Sequence, residues 1–178
     1  MKRIFLLLIV TLAFDAGAAP PTPASDIPTN APSSIELHDQ FDAPQKLSFP
    51  TTNITMLIIA DRAGSEQISG WITPLKKRFD TRISFRGLAD VSTVPRLLRG
   101  MVRTKFQKSQ SYPVMMDWSG ETVKALTYVP EKANVLLLDP HGQILKRISG
   151  EATPGAVADL CNAVEEALAK LSGEVARP

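Results

Sequence analysis

Hydrophobic positions change period several times along this chain, and each change marks an element. Ile35-Glu36-Leu37 alternates, Asp39 to Pro44 supplies turn-forming residues, and Lys46-Leu47-Ser48-Phe49 alternates again, which predicts a hairpin. Ile54 to Ala60 is a short, nearly continuous apolar run, the pattern of a strand covered on both faces. Beyond Asp61-Arg62-Ala63-Gly64, the residues Ile68, Trp71, Ile72, Leu75 and Phe79 recur at helical spacing and make one stripe. Pro74 lies inside that stripe and predicts a kink or an irregular turn.

Thr81 to Leu88 returns to strand alternation. Thr93-Val94-Pro95 then reads as a helix start, with Leu97, Leu98, Met101, Val102 and Phe106 as the apolar face of that helix. Pro113 to Met116 is a short strand, in which Met115 and Met116 point to opposite sides. Glu121 to Tyr128 holds a short helix, and Asn134 to Asp139 is a further buried run. Pro140-His141-Gly142 turns the chain into a partner strand, Gln143 to Ile148. Thr153 caps a last helix with Pro154 at its first position, and Val157, Leu160, Cys161, Val164 and Leu168 form its buried face. Strands alternating with helices imply a parallel core with helices packed on it, and the late hairpin adds antiparallel pairing. The expected class is α/β, a mixed sheet sandwiched by helices, with an N-terminal hairpin.

The start of the chain is built differently. Lys2 and Arg3 precede an apolar run from Ile4 to Phe14, and Asp15-Ala16-Gly17-Ala18-Ala19 follows, the three parts of a secretory signal. The run is too short to span a bilayer as a helix, which needs about 20 residues. Cleavage after Ala18 and a periplasmic or secreted protein are expected, with an uncleaved anchor as the alternative. Residues 19–34 hold five prolines among Ser, Thr and Asn and read as a disordered leader. The domain is expected over residues 35–171, and residues 172–178 as a flexible tail.

Charge and cysteine content narrow the function. Without residues 1–18 the chain keeps 18 basic and 17 acidic residues, a balance that supplies no long-range field toward nucleic acid or an anionic membrane. Cys161 is the only cysteine, so no internal disulfide forms and stability must come from packing. One cysteine with His38 and His141 makes neither a four-cysteine nor a two-cysteine, two-histidine zinc site. No metal and no cofactor is expected.

The order of elements, together with three local stretches, resembles the thioredoxin-like superfamily, in particular its redoxin and alkyl-hydroperoxide-reductase-type branch. The stretches are Ile54 to Phe79, a buried strand running through a turn into a helix; Asn134 to Gly142 (NVLLLDPHG), similar to the strand and Asp-x-x-Gly turn after that family's cis-proline; and Ile148-Ser149-Gly150 leading into the last helix. The resemblance implies a thioredoxin-like mixed sheet and a redox site at the turn after the first central strand. Redox-active members keep a Cys-x-x-Cys pair or a single peroxidatic cysteine there, where a helix N-terminus lowers the thiol pKa. An ungapped overlay puts Arg62 and Ser65 at the two cysteine positions, and Ala133 at the cis-proline. The resemblance thus implies a degenerate redox site, formed by Asp61, Arg62, Ala63, Gly64, Ser65 and Ala133, which is a candidate binding surface for a protein or peptide.

Other candidates remain open beside it. Cys161 could serve a thiol enzyme, or pack as a small hydrophobe on its helical stripe. Arg96, Arg99 and Arg103, at helical spacing with Lys105 and Lys108 nearby, suit either an anionic ligand or a solvated face. His38 with Asp39, and Asp139 with His141, are conceivable base–orienter pairs, but neither accompanies a nucleophile motif. No catalytic residue is assigned from the sequence.

Overall fold

The computed structural model describes residues 28–175. The expected signal, most of the expected leader and residues 176–178 of the expected tail lie outside them. Chain order is β1 (Ser34–His38), β2 (Pro44–Ser48), β3 (Thr55–Ala60), α1 (Ile68–Phe79), β4 (Ser84–Asp90), α2 (Arg99–Ser109), β5 (Val114–Asp117), α3 (Glu121–Ala125), β6 (Asn134–Leu138), β7 (Ile144–Ser149) and α4 (Pro154–Val175). A five-stranded sheet runs β5-β4-β3-β6-β7, and β1 and β2 form a separate antiparallel hairpin. Strands β3, β4 and β5 are parallel, whereas β6 and β7 pair antiparallel.

Alternation along β3 sorts the core into two faces. Met56 and Ile58 join Trp71, Leu75 and Phe79 of α1 and Leu160, Cys161 and Val164 of α4. Leu57 and Ile59 face the other way, onto Ile35 and Leu47 of the hairpin and Val123 and Leu126 at α3. That is why this strand reads as a continuous apolar run: both of its faces are covered. Ala89 and Met116 pack with Val102 and Phe106 of α2 in a third cluster. Phe85 of β4 belongs to the α1 face, and Ala89 is four residues on, so α2 lies on the same face as α1 and α4. Met115 and Met116 fall in different clusters, as period two requires.

One buried polar side chain ties the hairpin to the sheet edge, and a second holds the hairpin's own turn. Gln40 Nε2 donates to the Tyr112 carbonyl (2.8 Å) and its Oε1 accepts from Val114 N–H (2.8 Å), so one side chain closes the open edge of β5. Asp39 accepts from Phe41 and Ala43 N–H and from Gln45 Nε2, at 2.8, 3.0 and 2.9 Å. Gly142 has φ +87°, and a Cβ there would strike the Phe49 ring, so the turn before β7 needs a glycine.

Several boundaries differ from expectation. Residues just before β1 are ordered rather than a loose leader: Ala31 N–H donates to the Gly142 carbonyl (2.8 Å) and Ile144 N–H to the Thr29 carbonyl (2.7 Å). Ala31 also packs on the hairpin-side core. Five prolines set the composition, but backbone pairing with the turn before β7 sets the structure. Helix α1 continues through Pro74 as one element, preceded by a 3-10 turn at Gly64–Gln67. At the far end α4 runs to Val175, beyond the expected boundary at residue 171. Thr153 caps it as expected, its Oγ1 accepting from Ala156 N–H at 3.2 Å.

The largest departure concerns α2. The chain first makes a 3-10 turn at Arg96–Leu98, and α2 begins only at Arg99. Of the five residues of its expected apolar face, Leu97 is 97 % exposed, Met101 70 % and Leu98 45 %. Only Val102 and Phe106 pack inward. Arg99 and Arg103 take the vacated inner side, with guanidinium carbons 4.9 and 5.9 Å from the Trp118 ring centroid.

Candidate functional site

The parallel strands end at one edge of the sheet with an aspartate at or just beyond each: Asp61 after β3, Asp90 in β4 and Asp117 in β5. Each carboxylate organises the turn that follows it. Asp90 Oδ1 accepts from the Ser92 N–H and hydroxyl. Asp117, fully buried, accepts from the N–H groups of Ser119, Gly120 and Val123. Asp61 does more, because its two oxygens serve different segments. Oδ1 accepts from Gly64 N–H (2.8 Å) and closes its own turn, whereas Oδ2 accepts from Glu131 N–H (2.7 Å) in the loop before β6.

Gln67 completes the same bridge. Its Oε1 accepts from Ala133 N–H (3.1 Å) and its Nε2 donates to the Glu131 carbonyl (3.4 Å). Between these contacts Gly64 is buried against the loop backbone: a Cβ there would overlap the Lys132 carbonyl and lie 2.9 Å from Ala133 N. Asn134 holds the loop from the other side, donating to the Val129 and Lys132 carbonyls and accepting from Val129 N–H. Glu131 sits at φ +62° within it, a conformation a non-glycine residue adopts only when its surroundings hold it there.

Electrostatics at this turn follow from the geometry. Partial burial by itself raises the Asp61 carboxyl, but Tyr128 and the N–H groups of Gly64, Glu131 and Ala63 outweigh it, so its pKa lies below the ordinary value. Burial and the neighbouring Asp61 push the Tyr128 phenol well above its ordinary value. The Tyr128 hydroxyl is enclosed and makes no well-formed hydrogen bond, so its influence on Asp61 is one of proximity.

The structure brings Asp61, Gly64 and Ala133 together, with Arg62, Ala63 and Ser65 exposed beside them. Ser65 Oγ donates to the Arg62 carbonyl (2.6 Å). Ala133 is fully buried and its N–H is taken by Gln67, so it presents nothing to a partner directly. Its peptide is not cis; among the described residues the cis bond is Phe49–Pro50. The residues that sequence reasoning missed are Gln67, Tyr128 and Glu131. A glutamine early in a helix carries no motif, and its role depends on a loop 64 residues away.

The arginine trio is divided. Arg96 remains exposed on the 3-10 turn, while Arg99 and Arg103 lie on Trp118 and Arg103 also pairs with Asp42 at 2.8 Å. Neither histidine pair is a base–orienter pair. His38 Nδ1 meets Asp42 (3.0 Å) rather than Asp39, and Asp139 accepts from the His141 and Gln143 backbone N–H groups. Cys161 is 5 % exposed among Trp71, Leu75 and Val164. Among the described residues no cluster of three or more His, Cys, Asp or Glu side chains is placed to hold a metal ion.

This architecture is shared with solved structures. The chain superposes on a thioredoxin-family thiol:disulfide interchange protein from Chlorobium tepidum with a TM-score of 0.55, at 19% identity over 79% of this chain and 97% of that one. An exposed lipoprotein thioredoxin from Streptococcus pneumoniae gives 0.57, at 13% identity over 72% and 98%. The peroxidoxin BcpB from Mycobacterium tuberculosis gives 0.51, at 21% identity over 84% and 99%. The fold is thioredoxin-like. No family model matches the sequence, and no curated protein matches it. In this thioredoxin-like frame the turn after β3 and the loop before β6 face each other, and Asp61 and Gln67 join them.

Proposed function

We propose that the protein is an exported thioredoxin-fold module without thiol redox activity, acting as an accessory that binds a protein or peptide. The observation that carries this reading is the position of Cys161. Dithiol exchange needs two thiols and an accessible thiolate, whereas this chain has one cysteine, sealed in the core between α1 and α4. The turn after β3, where the resemblance puts a redox pair, holds Arg62 and Ser65 instead. Asp61 and Gln67 occupy the polar backbone groups on the opposite loop. A partner using this end of the sheet would therefore meet the exposed rim, Arg62, Ala63 and Ser65.

Export rests on the sequence of residues 1–18. Among the described residues no helix is long and apolar enough to cross a membrane.

An insulin-reduction and a peroxide-consumption assay on the purified protein should both be blank. Turnover that disappears in Cys161→Ser would overturn the reading. The alternative is a thiol oxidoreductase acting through Cys161, which draws support from the thiol:disulfide neighbours. It requires that Cys161 react with a thiol probe in the native state. Protection until global unfolding would remove it. Photo-crosslinking from position 62 or 65 in vivo tests the binding role, and an absence of captured protein from both positions counts against it.

A further inference from the structure

Helix α2 and its lead-in turn carry apolar residues on both sides rather than on one. Arg99, Val102, Arg103 and Phe106 face inward, over Trp118 and the third core cluster. The outer face carries Leu97, Leu98 and Met101, then Thr104, Lys105 and Lys108, all exposed. At 100° per residue, Leu97, Thr104, Lys105 and Lys108 lie within about 60° of Met101, so the apolar ridge and its cations share one side. Single exposed apolar residues are ordinary, but three adjacent ones on a short segment are a surface with a use.

Charge is segregated in the same place. Between Asp90 and Asp117 the sequence has no acidic residue and five basic ones. Two of these, Arg99 and Arg103, are engaged beneath the helix, and Arg96 lies at helical spacing on their side, which leaves Lys105 and Lys108 exposed beside the ridge. Within this stretch the exposed charges are therefore all basic, although the whole chain is near neutral.

We infer that this ridge docks on an anionic lipid surface, with Leu97, Leu98 and Met101 entering the headgroup–acyl boundary and Lys105 and Lys108 meeting the headgroups. Size and charge both favour that occupant. A protein partner would have to reach well beyond the ridge, since a stable interface takes roughly 800 Å² from each side. A second copy paired about a two-fold axis would set these cations against themselves. A bilayer asks for less: shallow burial of a few apolar side chains, plus ~1 kcal/mol for each basic residue near an anionic surface. The resulting attachment is reversible and salt-sensitive. It is independent of the thiol question, since no residue of the turn after β3 takes part.

The test is co-sedimentation of the full chain with vesicles of phosphatidylglycerol and phosphatidylcholine in equal parts, against phosphatidylcholine alone. Binding should favour the anionic vesicles by about tenfold or more and weaken as salt rises. Leu97→Ser with Met101→Ser, and separately Lys105→Glu with Lys108→Glu, should each weaken it about tenfold. Residues 1–27 are identical in all of these proteins, so any difference belongs to the ridge. A solvatochromic probe on Met101→Cys should shift to the blue on anionic vesicles, while the same probe on Lys124→Cys, on the opposite face, should not. Buried Cys161 leaves the labelling selective. Equal binding by the ridge variants, or a probe at position 101 that stays in water on sedimented protein, overturns the inference. So does a dimer dispersed by Leu97→Ser, or binding to an acidic peptide with none to vesicles.

Discussion

Two segments leave neighbouring parallel strands at the same end of the sheet, and they treat their polar groups in opposite ways. The turn after β3 folds inward: Asp61 and Gln67 spend their hydrogen bonds on the loop before β6, and Gly64 lets the two backbones touch. The segment after β4 turns Leu97, Leu98 and Met101 outward and lays Arg99 and Arg103 on its inner side, because Trp118 offers them a platform and Asp42 gives Arg103 a counter-charge. In the first, the polar groups of the turn and of the facing loop are satisfied by each other. In the second, residues suited to a core are left for something else to cover. Resemblance to a family directs attention to the first segment, while the physical anomaly lies in the second.

The contrast can be broken most severely at Gly64. A side chain there must push the Lys132 carbonyl away, and backbone yields poorly, so Gly64→Val should cost about 3 kcal/mol or more in urea denaturation. A loss under about 1 kcal/mol would mean that the loop is not seated on this turn. Next in size is Trp118→Ala, expected to cost about 2–3 kcal/mol because it removes both a packed ring and the platform for two guanidinium groups. A double-mutant cycle with Arg103→Ala should show coupling of about 1 kcal/mol. Simple additivity would mean that the stack contributes nothing.

A smaller effect is expected at Asp61. Its folded-state pKa is depressed, so its contribution to stability is complete above the ordinary carboxylate value and is lost as pH falls through the lower, folded value. Asp61→Asn should therefore be less stable than the parent at neutral pH, with the difference shrinking in acid. Denaturation midpoints taken across the acid range check this, and a gap that widens on acidification contradicts the assignment. Smallest of all should be Leu97→Ser, within about 0.5 kcal/mol of the parent, because the side chain is already in water. Val102→Ser, one turn on and facing inward, should cost about 1–2 kcal/mol. If the two match, Leu97 and Val102 do not lie on opposite sides of this segment.

Much of this molecule is legible without coordinates, for a local reason. Runs such as Ile54 to Ala60 and Asn134 to Asp139, the stripe from Ile68 to Phe79 and the Thr153-Pro154 cap each carry their structure in their own spacing. Their order restricts the topology to a mixed sheet with helices. A single cysteine on an apolar stripe likewise foretells burial.

What only the tertiary structure decided depends on partners distant in sequence. Ala31 gains order from Gly142, Gln67 from Ala133, and Arg103 from Trp118 and Asp42. The α2 stretch contains apolar residues and arginines that could each have faced inward, and its own pattern favoured Leu97, Leu98 and Met101. A tryptophan from the far side of β5 and an aspartate from the hairpin gave the arginines the better inward site. Periodicity ranks residues by their affinity for an average interior, whereas each folded site is particular, and here a ring and a carboxylate drew two half-buried guanidinium groups.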